Sequence, residues 1–319
     1  MIVTLIPNPS HDRTVALSAP LQRGAVQRAE SVTSQAGGKG VNISRASVAA
    51  GIPSIAVLPA PKDDPFVLEL LASGIDCRPV DHAGDLRVNI TISEPDGTTT
   101  KLNSPGPTAT PEVLDALLAS LRRRAGSADW VVLAGSLPPG APDGWYADLV
   151  EALHDTGARL AVDTSDAPLA ALVERLPASA PHLMKPNGHE LASFTGDDAE
   201  RLESDPAAAA HAAHTLVERG VENVLVTLGA NGAVLVTAAG AWHASPPPTR
   251  VVSTVGAGDS SLFGYLLGDI RHQPPARRLA LAVAYGSAAA GLPGTTVPHP
   301  SQVRPDLVGV QDLLLTLGG

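Results

Sequence analysis

The chain has 319 residues, 44% hydrophobic and 17% charged, which is the composition of a globular protein with room for a large core. Its formal net charge of −10 disfavours nucleic acid or an anionic membrane as the main partner, although a small anionic substrate needs only local positive charge. A single cysteine, Cys77, excludes an internal disulfide, fits a reducing compartment and reads as a packing residue rather than a nucleophile.

The opening "MIVTLIPNPSHD" lacks the basic start and long apolar run of a signal peptide. No stretch reaches the ~20 apolar residues of a membrane span, so the cytoplasm is the expected location. "MIVTLI" predicts a buried strand and "PNPSHD" a turn. "TVAL" and "VQRAESVTSQ" read as short, half-exposed strands. "GGKGVNISRASVAAG" is a Gly-rich turn entering a helix, "IAVLPA" a strand and "DPFVLELLASG" a helix. "LRVNITISEP" and "GTTTKLNSP" both alternate apolar with polar residues across "EPDG", which predicts a hairpin. With the early strands it could form a small sheet apart from the main one.

From about residue 111 amphipathic helices alternate with nearly continuous apolar strands: "WVVLAG", "RLAVDTS", "HLMKP" and "NVLVTLG". That pattern predicts a mostly parallel sheet covered by helices on both faces, with ligands at the carboxyl ends of its strands. "NGAVLVTAAGAWHAS" reads as an antiparallel extension, and two helical runs follow.

Three motifs carry chemistry, each with a plain alternative. In "VGAGDSS" the glycines Gly256 and Gly258, with Ala257, can expose backbone N–H groups where a helix begins. Unpaired amides and the positive dipole end together make an anion hole. Asp259 beside it is either a base facing a phosphoryl group, kept ionised by the dipole, or an ordinary first-turn cap. In "LMKPNGHEL", Asn187 and Glu190 suit a hydrated Mg²⁺ and Lys185 a phosphate, unless Asn187 and Glu190 merely form a capping box. In "QAGGKGVNIS", Lys39 suits a substrate phosphate or is a solvated loop lysine. The chain has only four lysines against 18 arginines, and two of the four lie in these motifs. Asp12 could bond sugar hydroxyls or cap a turn; Arg87 could grip a phosphate or lie on a solvated face. The histidines, "HAAH" included, show no metal spacing, and "LRRR" reads as a solvated run.

In order, "NPSHD", "AGGKGVN", "RVNITISEPDG", "GSLPPG", "VDTS", "MKPNGHEL", "VTLGANGA" and "VSTVGAGDS" resemble the ribokinase-like carbohydrate kinases. Within them the chain is similar to the phosphofructokinase B group, which holds 1-phosphofructokinases and tagatose-6-phosphate kinases. The resemblance spans nearly the whole chain. It implies one domain over residues 1–319: a three-layer α/β fold with a mainly parallel central sheet and a small β-sheet lid from about 12–35 and 86–104. A homodimer through that lid is implied as well. By position, Asp259 matches the catalytic base and Gly256, Ala257 and Gly258 the anion hole. Asn187 and Glu190 match the residues that organise Mg²⁺ and its waters. Lys185, Asn187, Thr227, Gly229, Gly232 and Ser287 match nucleotide-binding positions. Asp12, Gly38, Lys39, Asn42, Arg87 and Ser136 match positions lining the sugar phosphate.

The implied reaction is ATP-dependent phosphorylation of fructose 1-phosphate to fructose 1,6-bisphosphate, with tagatose 6-phosphate or fructose 6-phosphate as alternative acceptors. A catalytically silent sugar-phosphate sensor is the reading from another class, and the intact Gly-Ala-Gly-Asp weighs against it. Two departures from the pattern stand out. The segment 59–65 is Pro-rich where relatives often have a glycine-rich turn, and Ser104 stands where 1-phosphofructokinases often carry an acid.

Overall fold

The computed structural model describes residues 1–314. Its strands are β1 (Ile2–Leu5), β2 (Ser10–Leu17), β3 (Ala29–Gly37), β4 (Ser54–Pro59), β5 (Asp76–Val80), β6 (Arg87–Ser93) and β7 (Thr99–Leu102). They continue with β8 (Trp130–Ala134), β9 (Arg159–Asp163), β10 (Leu183–Met184), β11 (Asn223–Thr227), β12 (Ala233–Thr237), β13 (Gly240–Ser245) and β14 (Gly309–Leu313).

Ten of them form one sheet in the order β14-β13-β12-β11-β10-β9-β8-β1-β4-β5. Pairing is parallel from β5 through β11 and antiparallel from β11 to β14. The parallel part is apolar on both faces because helices cover both. Val131, Leu133, Leu160 and Val162 point to one face, against the helices Pro111–Ala125, Trp145–Leu153 and Pro206–Glu218. Their neighbours Trp130, Val132 and Ala161 point to the other, against Ala257–Ile270 and Pro275–Ala290. This is the three-layer α/β fold that the strand–helix alternation predicts.

The smaller sheet has four strands in the order β3-β2-β6-β7. The "EPDG" hairpin is there: β6 and β7 pair antiparallel, and the turn closes through Glu94 N–H to Thr98 O (2.9 Å). One local expectation is corrected. Ser10, His11 and Asp12 are not turn but the start of β2, paired with β3 and β6.

In the main sheet the chain leaves β1 for β4 on one side and later places β8 on the other. Such a reversal opens a crevice beyond the carboxyl ends of the strands, where ligands bind in open α/β sheets. Asn8 follows β1, Ser136 follows β8, Asp163 ends β9, Lys185 follows β10 and Thr227 ends β11.

Candidate active site

The helix Ala257–Ile270 begins at Gly256, whose φ of 80° is the left-handed conformation that glycine adopts without strain. No side chain caps this end, and Ala257 N–H makes only a long bond to Thr254 O (3.3 Å), so the first turn keeps amides for an incoming anion. Asp259 lies in that first turn, buried, and does not act as a cap. Instead the Asn42 side-chain amide donates to Asp259 Oδ2 at 2.7 Å. The next helix packs tightly behind the turn: a Cβ at Gly286 would lie 2.2 Å from Ser261 Oγ and 3.3 Å from Ala257 O. Ser287, the adjacent residue, is half-buried.

The dipole does not decide the charge of Asp259, contrary to the expectation from sequence. Burial, and then the nearby Asp163 charge, push its carboxyl above the usual range, against opposition from Lys39, Asn42 and Lys185.

Asp163 is the residue that motif reading left without a role. It ends β9 with no exposed side-chain surface and carries two ion pairs: Lys39 Nζ at 2.7 Å from Oδ1 and Lys185 Nζ at 3.3 Å from Oδ2. Burial alone would raise its carboxyl, but Lys185 and Lys39 outweigh that and hold it below the usual range. Burial likewise works against charge on Lys39, yet Asp163 and Asp259 drive its ammonium well above the usual lysine value. Lys39 is therefore no solvated loop residue; it opens the helix Lys39–Ala49, just after Gly38 at φ 126°. "VDTS" held the signal in sequence: an acid at the end of an apolar strand.

Lys185 reaches the anion turn, with Nζ 3.4 Å from the Cβ position of Gly258. Beyond it Asn187 caps the helix Gly188–Thr195 in a capping box: Glu190 N–H donates to Asn187 Oδ1 (2.7 Å) and Asn187 N–H to Glu190 Oε2 (2.9 Å). Asn187 also bridges Thr227, whose N–H donates to Pro186 O, so these two positions are neighbours. The turn after Thr227 is shaped by Gly229 and Gly232, with φ of 55° and 86°. At Gly232 a Cβ would sit 1.9 Å from Ala244 O, which excludes any side chain.

The capping box occupies the Asn187 carbonyl oxygen, and among the described residues no group of three or more His, Cys, Asp or Glu forms a metal cage. The donors fit an Mg²⁺ held through water beside phosphates, which needs few protein oxygens, and do not fit a dedicated all-protein site.

A second group lies at the smaller sheet. Asp12 on β2 faces Asn89 on β6 and accepts from Ser10 Oγ (2.7 Å) and Asn89 Nδ2 (3.1 Å). Asn89, missed in the sequence, keeps a buried Oδ1 without a hydrogen-bond partner. Arg87 Nη1 donates to Ser104 O and Nη2 to Ser136 Oγ, both at 3.3 Å, while its buried Nε has no acceptor. Ser104 Oγ donates to Val88 O at 2.8 Å, so the residue that replaces an acid ties its loop to β6. Asn8 donates to Pro105 O and Leu137 O, joining that loop to "GSLPPG". Together Asn8, Arg87, Ser136 and the loop around Gly140 line an open cleft of about 440 Å³. The Pro-rich segment 59–65 is ordered: Ala60 N–H donates to Val80 O, and Asp64 caps the helix Pro65–Ala72 through Phe66 N–H.

Residues 8–302 match the pfkB family carbohydrate kinases. The 1-phosphofructokinase of Xanthomonas campestris pv. campestris is 36% identical over 290 residues, covering 88% of each chain. That of Escherichia coli K12 is 33% identical over 90% of each chain. The crystal structure of Escherichia coli phosphofructokinase-2 in complex with substrates and products aligns with a TM-score of 0.86 and 26% identity, covering 96% of this chain and 99% of that one. Fold and relatives together define a phosphotransferase of ribokinase-like architecture with an alcohol group as acceptor. The chain belongs to the pfkB family of carbohydrate kinases. No helix among the described residues is long and apolar enough to cross a membrane.

Proposed function

We propose that the protein uses ATP to phosphorylate fructose 1-phosphate at its C6 hydroxyl, giving fructose 1,6-bisphosphate, with Asp259 as general base. The observation that carries this reading is the juxtaposition of a buried, Asn42-oriented Asp259 with an uncapped helix start and Lys185. The similarity to 1-phosphofructokinases over most of the chain favours fructose 1-phosphate as acceptor.

Asp259 takes the C6 hydroxyl proton as the C6 oxygen bonds to the γ-phosphorus. The bond from that phosphorus to the β–γ bridging oxygen breaks, and ADP leaves. A loose transition state places most of the demand on position and charge, so a carboxylate of modest basicity suffices. Amides of Gly256, Ala257 and Gly258 receive the phosphoryl oxygens, and Lys185 adds positive charge beside them. Thr227, Gly229, Gly232 and Ser287 flank the nucleotide. Bound Mg²⁺ would neutralise phosphate charge, held through water by Glu190 and Asn187.

Lys39, Arg87 and Ser136 hold the phosphate already on the sugar, and Asp12, Gly38 and Asn42 line the sugar itself. A sugar lacking the phosphate leaves the Arg87 charge unpaired in a half-buried site and is rejected. The smaller sheet serves as a lid that excludes water from the transferring group. Val26, Val32 and Leu102 on or beside that sheet are exposed, and we assign them to contact with a second copy of the chain.

The test is a substrate panel with ATP. The kcat/KM for fructose 1-phosphate is expected to exceed those for tagatose 6-phosphate and fructose 6-phosphate by at least ~10-fold. Preference for either of the others overturns the choice of acceptor.

A further inference from the structure

We propose that Asp163 is a positioning residue for phosphoryl transfer: its two carboxylate oxygens hold Lys39 and Lys185 apart and keep both ammonium groups off Asp259. This rests on the reading of Asp259 as the base. A carboxylate buried only to neutralise one lysine needs one partner. Asp163 has two, one on each oxygen, from the start of the helix Lys39–Ala49 and from the end of β10.

Asp163 is well placed for such a task. It ends a strand paired on both sides within the main sheet, and its short side chain has little freedom. Both lysines are close enough to Asp259 to act on its charge, yet among the described residues no ion pair joins either of them to it. The amide of Asn42, which is neutral, fills the Asp259 contact instead. A direct lysine–Asp259 pair would tie up the electron pair that must take the hydroxyl proton.

The exposures of the lysines then divide the work. Lys39 keeps 33% of its side chain accessible and can still meet an anion from solvent. Lys185 keeps 6% and faces the turn at Gly258. With Asp163 between them the trio carries a net single positive charge, presented to two phosphate groups at two places. Without Asp163, Asp259 remains as a buried carboxylate on whose charge both lysines act.

The test compares native enzyme, Asp163→Asn, Lys39→Met/Lys185→Met, and the triple variant combining all three changes. Readouts are thermal unfolding, kcat and both KM values, and ADP affinity by calorimetry. Asp163→Asn is expected to lower kcat by ~100-fold or more while ADP affinity stays within ~10-fold of native. A structural role alone would lower the melting temperature and leave kcat of the folded protein near native; kcat within ~3-fold of native in Asp163→Asn therefore overturns the proposal. In the Lys39→Met/Lys185→Met background Asp163→Asn is expected to change kcat by less than ~3-fold. A further ~10-fold loss there means that Asp163 acts other than through the lysines, and overturns the proposal even if the single variant does not fold. Failure of the base reading is seen separately, in an Asp259 variant with Asp163 intact.

Discussion

Gly37→Ala tests the placement of Asp12 against a defined steric conflict. An ideal Cβ on residue 37 lies 2.0 Å from Asp12 Oδ2 and 2.2 Å from its Cγ. To reach an ordinary contact of about 3.4 Å the carboxylate must retreat by about 1.4 Å, the difference between that contact and the 2.0 Å approach. That movement breaks the bonds from Ser10 Oγ at 2.7 Å and Asn89 Nδ2 at 3.1 Å. Hydrogen bonds to a charged group contribute about 1.5–3 kcal/mol each, and the half-buried Asp12 recovers part of this from water. A loss of about 1–3 kcal/mol follows, or a fall in melting temperature of roughly 1–5 °C in a chain of this length. In a coupled assay of ADP release, the KM for the sugar phosphate is expected to rise by ~10-fold or more, with the KM for ATP within ~2-fold of native. A melting temperature that falls while the sugar-phosphate KM stays native would refute the role given to Asp12. If neither changes, the packing of Asp12 over Gly37 is refuted too.

Arg87→Ala removes a guanidinium held between Ser104 and Ser136, and is expected to raise the sugar-phosphate KM at least ~10-fold with ATP KM unchanged, read by steady-state kinetics. Because the Asp259 carboxyl is pushed up by burial and by Asp163, the base is lost at a higher pH than an ordinary aspartate as the solution is acidified. Lys39 opposes that rise, so Lys39→Met is expected to move the acid limb of the kcat/KM profile to still higher pH. At the far end of the same helix, buried Asp269 accepts from Trp130 Nε1 (3.0 Å), Arg159 Nη1 (2.5 Å) and Arg278 Nη1 (2.6 Å). Asp269→Asn leaves Arg278 without an acidic partner among the described residues, whereas Arg159 keeps Glu222 at 2.6 Å, and is expected to lower stability by about 2 kcal/mol in thermal melts while kcat and both KM values remain native.

Much of this was legible because local rules and the fold agree. The apolar strands between amphipathic helices could be buried only in a covered parallel sheet, and "EPDG" between alternating runs fixed a hairpin. Edge strands were harder. β5 contains Pro79, and β14 follows a long irregular stretch, so neither carries a clean period. The extent of β2 was hidden because Ser10-His11-Asp12 reads as turn chemistry until β3 and β6 supply its partners. In the site, glycine-rich turns announced themselves, whereas Asp163 and Asn89 did not. A lone acid or amide on a strand takes its meaning from what the sheet places beside it, here two lysines distant in sequence and Asp12 on a neighbouring strand. For Asn187 and Glu190 the capping-box reading held; the box uses only Oε2 of Glu190, so it does not by itself exclude the metal reading.

Asp259→Asn is the most direct test of the central claim. The substitution keeps the size of the side chain and its place beside Asn42 while removing the capacity to accept a proton. With ATP and fructose 1-phosphate at saturation, kcat is expected to fall by at least ~10²-fold, with an unchanged melting transition and ADP affinity near native. Turnover close to native in that variant would contradict the assignment of Asp259 as the base.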